Sequence, residues 1–308
     1  MKIFRVINAV LLALCFLLFL KWVFRNYGFL TSIITFGLIF LSPWIIKFGH
    51  NLWWAFWSFY IPFLTMLLVY EKNYPNTKKF SPAKIFLFMY FAVFLKCFFT
   101  GFEFISATLM AAFSPIVYYL ILEKETFKKT VITFVKNSIA ALMGVITAMV
   151  ILILQIKVKE GFFMNGINHI INSYLIRTTL DPAKEIPMST GEILKQYIFE
   201  GYPFPLHTLI GIKLSFATLL TVILIFSMLI LYLSKDRHKI IALLAATLFS
   251  VLAPLSWFLI FKEHAATHPF LNYVVWYIPF LLYGFIIIGL GISLIIKPII
   301  NKINKQSI

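Results

Sequence analysis

Long uninterrupted apolar runs are the feature that most constrains this chain. A helix rises about 1.5 Å per residue, so about 20 apolar residues cross about 30 Å of hydrocarbon. Runs of that length recur along all 308 residues, of which 61% are hydrophobic and only 12% are charged. The runs are continuously apolar and do not alternate with a period of two, which favours helices over a barrel. We therefore expect an all-α, polytopic membrane helix bundle.

About nine transmembrane helices are predicted in a single integral membrane domain, residues 1–308. Their approximate ranges are 5–24, 28–46, 52–70, 84–100, 104–122, 130–156, 213–233, 240–261 and 273–296. Residues 157–212 then form a long loop outside the membrane. The first run follows Lys2 and Arg5 as in a signal peptide, but no small-residue cleavage site follows it, so we expect it to be retained.

The distribution of Lys and Arg predicts the orientation, because positive residues accumulate in cytoplasmic loops. One alternate set of loops is rich in them: Lys21, Arg25, Lys72, Lys78, Lys79, Lys84, Lys124, Lys128, Lys129, Lys235, Arg237, Lys239, Lys297, Lys302 and Lys305. Apart from residues 157–213, the other set holds only Lys2, Arg5, Lys47 and Lys262. We expect a multi-pass protein of the cytoplasmic (inner) membrane, with its N-terminus on the outer side and its C-terminus in the cytoplasm. The net charge of +16 is spread over these loops, so no nucleic acid partner is expected.

Two amphipathic helices are predicted within residues 157–212. One covers residues 166–179, where apolar residues recur at helical spacing: Ile167, Ile170, Ile171, Tyr174 and Leu175. The first four of these should face down. Asp181-Pro182 should follow its end. Ser189 and Glu192 form a capping-box pattern, which predicts a second helix that stops near Gly201. These helices either roof a cavity or merely cover the bundle.

Potential chemistry gathers on the predicted external face. The candidate substrate-binding residues there are Lys96, His50, Asn51, Arg177, Lys262, His264 and His268. Lys96 precedes Glu103 by seven residues, so the two could pair or together contact a polar substrate. One Lys and two His at the 262–268 loop supply donors for phosphate oxygens. The alternative there is a lysine that only extends to the interface and histidines that cap a turn.

The sequence predicts neither a metal nor a cofactor. His264 and His268 have the i, i+4 spacing of two ligands, but Pro269 disfavours a helix there and no carboxylate cluster completes a site. Cys15 and Cys97 lack CxxC spacing. No Walker, GxSxG or GxGxxG motif occurs, which argues against a soluble nucleotide as substrate.

Short motifs over most of the chain resemble bacterial multi-span glycosyltransferases of the GT-C type. They are Ser42-Pro43-Trp44, Asn51-Leu52-Trp53-Trp54, Pro62, Lys96, Gly101 through Ser106, Asn172 through Thr178, and His264 through Tyr277. The resemblance implies transfer of a sugar from a polyprenyl-phosphate carrier to an acceptor outside the membrane, for cell-surface glycan or lipid glycosylation. It also implies an acidic catalytic residue in an external loop between the first two spans.

That acidic loop is missing, because nothing acidic precedes Glu71. A preceding span and acidic loop would also explain the outside start, so the chain is expected to be an N-terminally shortened member with poor or no transfer activity. Alternatively, Lys2 and Arg5 are too few to matter for topology. Glu103 and Glu263 are the candidate catalytic residues, provided that one points at the acceptor.

Two other classes of function compete with glycosyl transfer. A transporter or flippase for a lipid-linked or anionic substrate would be favoured by an internal repeat and by ionisable residues at mid-membrane, and the sequence shows neither. A non-catalytic membrane scaffold is compatible with the missing acidic loop. The sugar, the acceptor and the oligomeric state are left open by the sequence.

Cysteine labelling tests the orientation. With single cysteines introduced at Asn76 and Thr267, an impermeant thiol reagent should label only the second position in intact cells, because Asn76 falls in a lysine-rich loop. The unmodified protein is the control, since Cys15 and Cys97 lie in or beside apolar runs. Labelling at position 76 alone would reverse the orientation.

Overall fold

The computed structural model describes residues 2–49, 51, 54–75, 79–178, 189–201, 214–268 and 271–306. These residues form helices joined by turns and contain no strands. The helices of the first half are α1 (Lys2–Tyr27), α2 (Phe29–Phe40), α3 (Pro43–Gly49), α4 (Trp57–Asn73), α5 (Pro82–Thr100), α6 (Ile105–Leu122) and α7 (Phe127–Glu160). Those of the second half are α8 (Phe163–Thr178), α9 (Thr190–Glu200), α10 (Phe216–Leu233), α11 (Arg237–Ser250), α12 (Leu252–Ile260), α13 (Lys262–Thr267), α14 (Asn272–Val275) and α15 (Phe280–Gln306). The predicted all-α fold is confirmed.

Seven helical segments within the described ranges are long and apolar enough to cross a membrane. They are α1, α5, α6, α7, α10, the continuous pair α11–α12, and α15 as far as Pro298. The α2–α3 pair, bent by 66°, would make an eighth span. The difference from the predicted nine is α4, whose 17 residues extend only about 26 Å at 1.5 Å per residue. The chain is therefore a polytopic membrane helix bundle in which α4 is a shorter, buried helix.

Local capping chemistry defines where several helices begin and end. Side-chain oxygens accept hydrogen bonds from the first turn of a helix at Ser81, Thr126, Ser189, Ser215 and Asp236. The capping box predicted at the start of α9 is present, since the Ser189 main-chain N–H donates to Glu192 Oε2 at 2.7 Å. Gly161 ends α7 with a φ of +83°, a left-handed conformation that glycine adopts without steric cost.

The bundle has two polar ends. At the end named here the Glu103 end, the α5–α6 turn meets α8 and α13. The Glu71 end lies at the opposite end of α6, a helix that is about 27 Å long at 1.5 Å per residue. There, Arg25 Nη1 is 3.6 Å from Glu71 Oε2, and Lys239 Nζ donates to Asn26 O. The turns before α2, α7 and α11 share the Glu71 end, so the structure separates the two alternate loop sets.

Small residues let α7 pack closely against α5. Ala140, Gly144 and Ala148 recur every four residues on one side of α7 and are buried. A Cβ atom at Gly144 would lie 2.7 Å from the carbonyl oxygen of Tyr90 and 3.1 Å from the main-chain nitrogen of Phe94. Close backbone approach over small residues is a common way to pack helices in a membrane, where van der Waals contact replaces the hydrophobic effect.

Substituting two glycines tests this packing. Gly144→Ala should destabilise the protein by about 1–3 kcal/mol, because the new methyl group meets rigid backbone. Gly37→Ala is the control: a Cβ there meets nothing within 4 Å, and the better helix propensity of Ala stabilises by up to about 1 kcal/mol. Thermal unfolding in detergent measures both. Equal melting temperatures for the two variants would contradict the close α5–α7 contact.

Candidate functional site

Lys96 organises the turn between α5 and α6. Its side chain is completely buried, and the ammonium donates to the carbonyl oxygens of Gly101, at 3.0 Å, and of Glu103. The same nitrogen lies 5.1 Å from the centre of the Phe59 ring. A buried ammonium needs such partners, since an isolated charge in an apolar interior is expensive. Lys96 thus contacts Glu103 through the main-chain oxygen of that residue and not through its carboxylate, and a shared contact with a polar substrate stays a prediction.

The Glu103 carboxylate joins three distant segments of the chain. Arg177 Nε on α8 donates to Glu103 Oε2 at 3.3 Å, and His264 Nε2 on α13 lies 3.1 Å from Glu103 Oε1. These partners are 74 and 161 residues away in sequence. The Glu103 side chain is only 11% exposed and that of His264 is 15% exposed, whereas the Arg177 side chain is 36% exposed. We call Glu103, Arg177 and His264 the Glu103 cluster.

Electrostatics keep the Glu103 carboxylate ionised. Burial alone would raise its pKa, but the hydrogen bond with His264 and the positive charge of Arg177 together outweigh burial, so the pKa lies below its ordinary value. A carboxylate with a lowered pKa is a weak general base. Glu103 is therefore better suited to orient Arg177 and His264 than to take a proton from an acceptor.

Aromatic packing fixes His264 in place. The Trp257 ring meets the His264 imidazole edge to face, with 5.6 Å between the ring centroids. The centroid of the His268 ring lies 4.6 Å from that of the His264 ring. Trp257 Nε1 donates to Asn272 Oδ1 at 3.2 Å, and Asn272 Nδ2 donates to Ala265 O at 2.9 Å. The structure thus brings together two of the three residues predicted to form an anion-binding group.

The remaining predicted site residues are placed differently. Lys262 is exposed, with Nζ 3.8 Å from the carboxylate of Glu263, which is itself buried. The carbonyl oxygen of Asn51 accepts a hydrogen bond from Asn8 Nδ2 at 3.3 Å, at the start of α1. His50 lies outside the described residues. None of these contacts involves the Glu103 cluster.

The predicted surface helix exists as α8, and the residues expected to face down differ in their burial. Ile167 and Ile170 are half-buried, whereas Ile171 and Tyr174 are 49% and 55% exposed. Gly166 is buried, where a Cβ atom would lie 2.8 Å from the Cα of Ile153 on α7. Apolar periodicity cannot tell a face that packs on protein from a face that contacts lipid, because both surroundings are apolar. Asp181-Pro182, predicted to follow this helix, lies outside the described residues.

A cavity of about 400 Å³ opens beside the Glu103 cluster, between the α5–α6 turn, α7 and α8. Its polar lining includes Glu103, Arg177, His169 and Ser173, together with Thr100 and Tyr174. Its apolar lining includes Val145, Met149 and Leu152 of α7, with Phe261 and Ile170. Sequence reasoning missed the α7 wall, since nothing distinguishes these residues from the rest of an apolar span. The cavity combines ionic groups with an apolar wall, as an amphiphilic ligand requires.

Comparison with known proteins adds no identification. No family model matches the chain, no curated protein is significantly similar to it, and no solved structure is significantly similar to its fold. In the part of the chain that the structure describes, no group of three or more His, Cys, Asp or Glu could hold a metal ion. The resemblance to GT-C glycosyltransferases stays a prediction.

Acid should weaken the Glu103 cluster. Because the folded-state pKa of Glu103 is lowered, its stabilisation is complete above the unfolded-state pKa of about 4.3 and is lost as the pH falls through the folded-state value. Melting temperatures measured in detergent between about pH 7 and pH 3 should fall at the acid end for wild type. Glu103→Gln should melt lower at neutral pH and lack that part of the acid loss. Glu200→Gln, at an exposed position, is the control, and a Glu103→Gln profile that matches it would contradict the assignment.

Proposed function

We propose that this protein is a membrane glycosyltransferase that binds a polyprenyl-phosphate-linked sugar in the cavity beside the Glu103 cluster. The observation that carries the proposal is the cavity itself, where an apolar wall leads to ionic side chains. A polyprenyl phosphate has the same division between an apolar chain and a charged head. The proposed setting is the bacterial inner membrane, with the Glu103 end outside, in cell-surface glycan or lipid glycosylation.

The depth of the apolar wall suits a lipid chain. Lys157 ends the uncharged part of α7, residues 137–156, and should lie near the membrane surface. At 1.5 Å per residue, Leu152 and Val145 lie about 7 and 18 Å below Lys157 along the helix. That interval falls within the hydrocarbon, so a prenyl chain could enter between α7 and α8 without leaving the lipid.

Arg177 is the best-placed group for the carrier phosphate. Its Nε atom is held by Glu103 and its Nη1 atom donates to Ser173 O at 2.8 Å. These two contacts orient the guanidinium while leaving other N–H groups for a ligand, and a planar guanidinium matches phosphate geometry. His169 lines the same cavity and supplies a second donor.

The Glu103–His264 pair provides a route for the proton. In the proposed reaction the acceptor hydroxyl oxygen bonds to the anomeric carbon, and the bond from that carbon to the phosphate oxygen breaks. Polyprenyl phosphate leaves with the electron pair, stabilised by Arg177. The hydroxyl proton passes to His264, and the Glu103 carboxylate stabilises the resulting imidazolium. This assigns the base role to His264 in place of Glu103 or Glu263, the acids considered from the sequence. It also replaces the expectation of poor or no transfer, which was based on the missing acidic loop.

Two matched substitutions test the binding site. Titration of a short-chain polyprenyl phosphate in detergent should give a dissociation constant about ten- to a hundredfold weaker for Arg177→Gln than for wild type, since a charged hydrogen-bond donor is lost. Lys262→Ala should bind nearly as wild type, because its side chain is exposed and directed to Glu263. If the phosphate binds at Lys262, as predicted from the sequence, Lys262→Ala should weaken binding more than Arg177→Gln does. Equal affinity for wild type and Arg177→Gln would remove the cavity from the proposal.

A turnover measurement separates transfer from transport or scaffolding. Purified protein given a polyprenyl-phosphate-linked sugar and an acceptor should release polyprenyl phosphate, and His264→Ala should slow release by about a hundred- to ten-thousand-fold. Binding that depends on Arg177 without any release would identify a lipid-linked sugar transporter or a scaffold instead.

A further inference from the structure

A groove of about 320 Å³ lies between α1 and the bent pair α2–α3. Two contacts between these helices bound it. The Ser32 hydroxyl of α2 donates to Leu20 O of α1 at 3.1 Å. Nearer the start of α1, a Cβ atom at Gly49 of α3 would lie 2.7 Å from Leu12 Cδ2. Between the two contacts, the 66° bend of α2–α3 prevents close packing along α1, and the groove stays open.

The lining of this groove is apolar throughout. On α1, Ala9 and Ala13 are small residues one turn apart, and they leave room beside larger apolar side chains of the same face. On α2, Phe36 and Phe40 line the groove and are 51% and 65% exposed, so the groove opens toward the lipid. Because the described lining offers no polar side chain, the part of a ligand that fills the groove must be hydrocarbon.

The length of the groove distinguishes a lipid chain from a helix. Arg5 and Arg25 stand about 30 Å apart along α1, which equals the hydrocarbon thickness of a bilayer. Lys21, one turn before Arg25, is exposed and extends to the same surface. Ala9 and Leu20, where the groove begins and ends, lie about 6 and 22 Å below Arg5. The groove therefore covers about the depth of one leaflet, whereas a transmembrane helix of a second copy needs a groove along the whole span.

Arg5 places a positive charge at the head-group end of the groove. It lies one turn before Ala9, on the face of α1 that lines the groove. The residue is exposed, and in the part of the chain that the structure describes it has no ion-pair partner. The first acidic residue of the sequence is Glu71, at the opposite end of the bundle. A guanidinium in this position suits phosphate oxygens.

We propose that this groove binds a glycerophospholipid with a net negative head group, such as phosphatidylglycerol, from the leaflet at the Glu103 end. One acyl chain fills the groove between Ala9 and Leu20, and the phosphate accepts hydrogen bonds from Arg5. A zwitterionic lipid brings an ammonium group close to the same guanidinium, so it binds more weakly. The described lining shares no residue with the cavity beside the Glu103 cluster, so the site is independent of the proposed glycosyl transfer.

Lipid titration followed by native mass spectrometry tests the head-group contact on the full chain released from detergent. The first phosphatidylglycerol should bind about tenfold more tightly than phosphatidylcholine. Arg5→Gln should weaken phosphatidylglycerol binding by about tenfold and remove the preference. Lys47→Gln is the matched control and should bind as wild type. Lys47 is exposed at the same end of the bundle, but its Nζ atom lies 4.9 Å from the centre of the Trp44 ring and it does not line the groove.

A second pair of variants tests the acyl-chain contact. Ala13→Trp should fill the groove and weaken the binding of both lipids, because the indole takes the place of the chain. Ala13 is exposed, so the larger side chain leaves the packed interior unchanged. Leu14→Trp is the control, since Leu14 is 48% exposed and does not line the groove. It should bind lipid as wild type.

Four results would overturn the proposal. Equal affinity of wild type for the two lipids would exclude recognition of the negative head group, and equal affinities for Ala13→Trp and Leu14→Trp would exclude the groove. A dimer that is lost in Ala13→Trp while lipid binding persists would assign the groove to a second copy. Displacement of phosphatidylglycerol by an equal concentration of polyprenyl phosphate would assign it to a carrier lipid. None of these results changes the comparison of Arg177→Gln with wild type, so the two proposals fail separately.

Discussion

The hydrocarbon of a bilayer offers no hydrogen-bond partner, so a polar group on a span is stabilised when it finds a partner inside the protein. Trp22 Nε1 donates to the Tyr119 hydroxyl at 2.8 Å, and the Tyr27 hydroxyl donates to that of Tyr118 at 3.0 Å. The Thr31 hydroxyl of α2 donates to the carbonyl oxygen of Tyr27, the last residue of α1. The first two of these hydrogen bonds connect α1 to α6 near the Glu71 end of the bundle.

The same constraint at the other end leads directly to the candidate site. Lys96 cannot reach water, so its ammonium is satisfied by the carbonyl oxygens of the α5–α6 turn. The α5–α6 turn also positions Glu103 so that its carboxylate contacts Arg177 and His264. The buried lysine is thus a structural support for the cluster, and the ionic groups of the cavity depend on a contact made inside the span.

Helix α7 relates the cavity beside the Glu103 cluster to the membrane. Its uncharged stretch, residues 137–156, is about 30 Å long and matches the hydrocarbon thickness. Val145, Met149 and Leu152 of that stretch line the cavity, and small residues of the same stretch hold α7 against α5. One helix therefore positions the candidate lipid site at a depth where lipid is present.

The sequence by itself determined the helical class, most of the spans, the alternation of loops between two ends and the start of α9 at Ser189. These features depend on local composition, or on hydrogen bonds between residues three or four positions apart. The sequence also identified Glu103, Arg177 and His264 separately as candidates. Only the tertiary structure joined them, set Lys262 apart from them, buried Gly166 of α8 in place of Ile171, and exposed a cavity between α7 and α8. The physical reason is that lipid and protein interior are equally apolar, so a pattern of apolar residues does not state which helix packs against which. Contacts across 74 or 161 residues are decided by that packing.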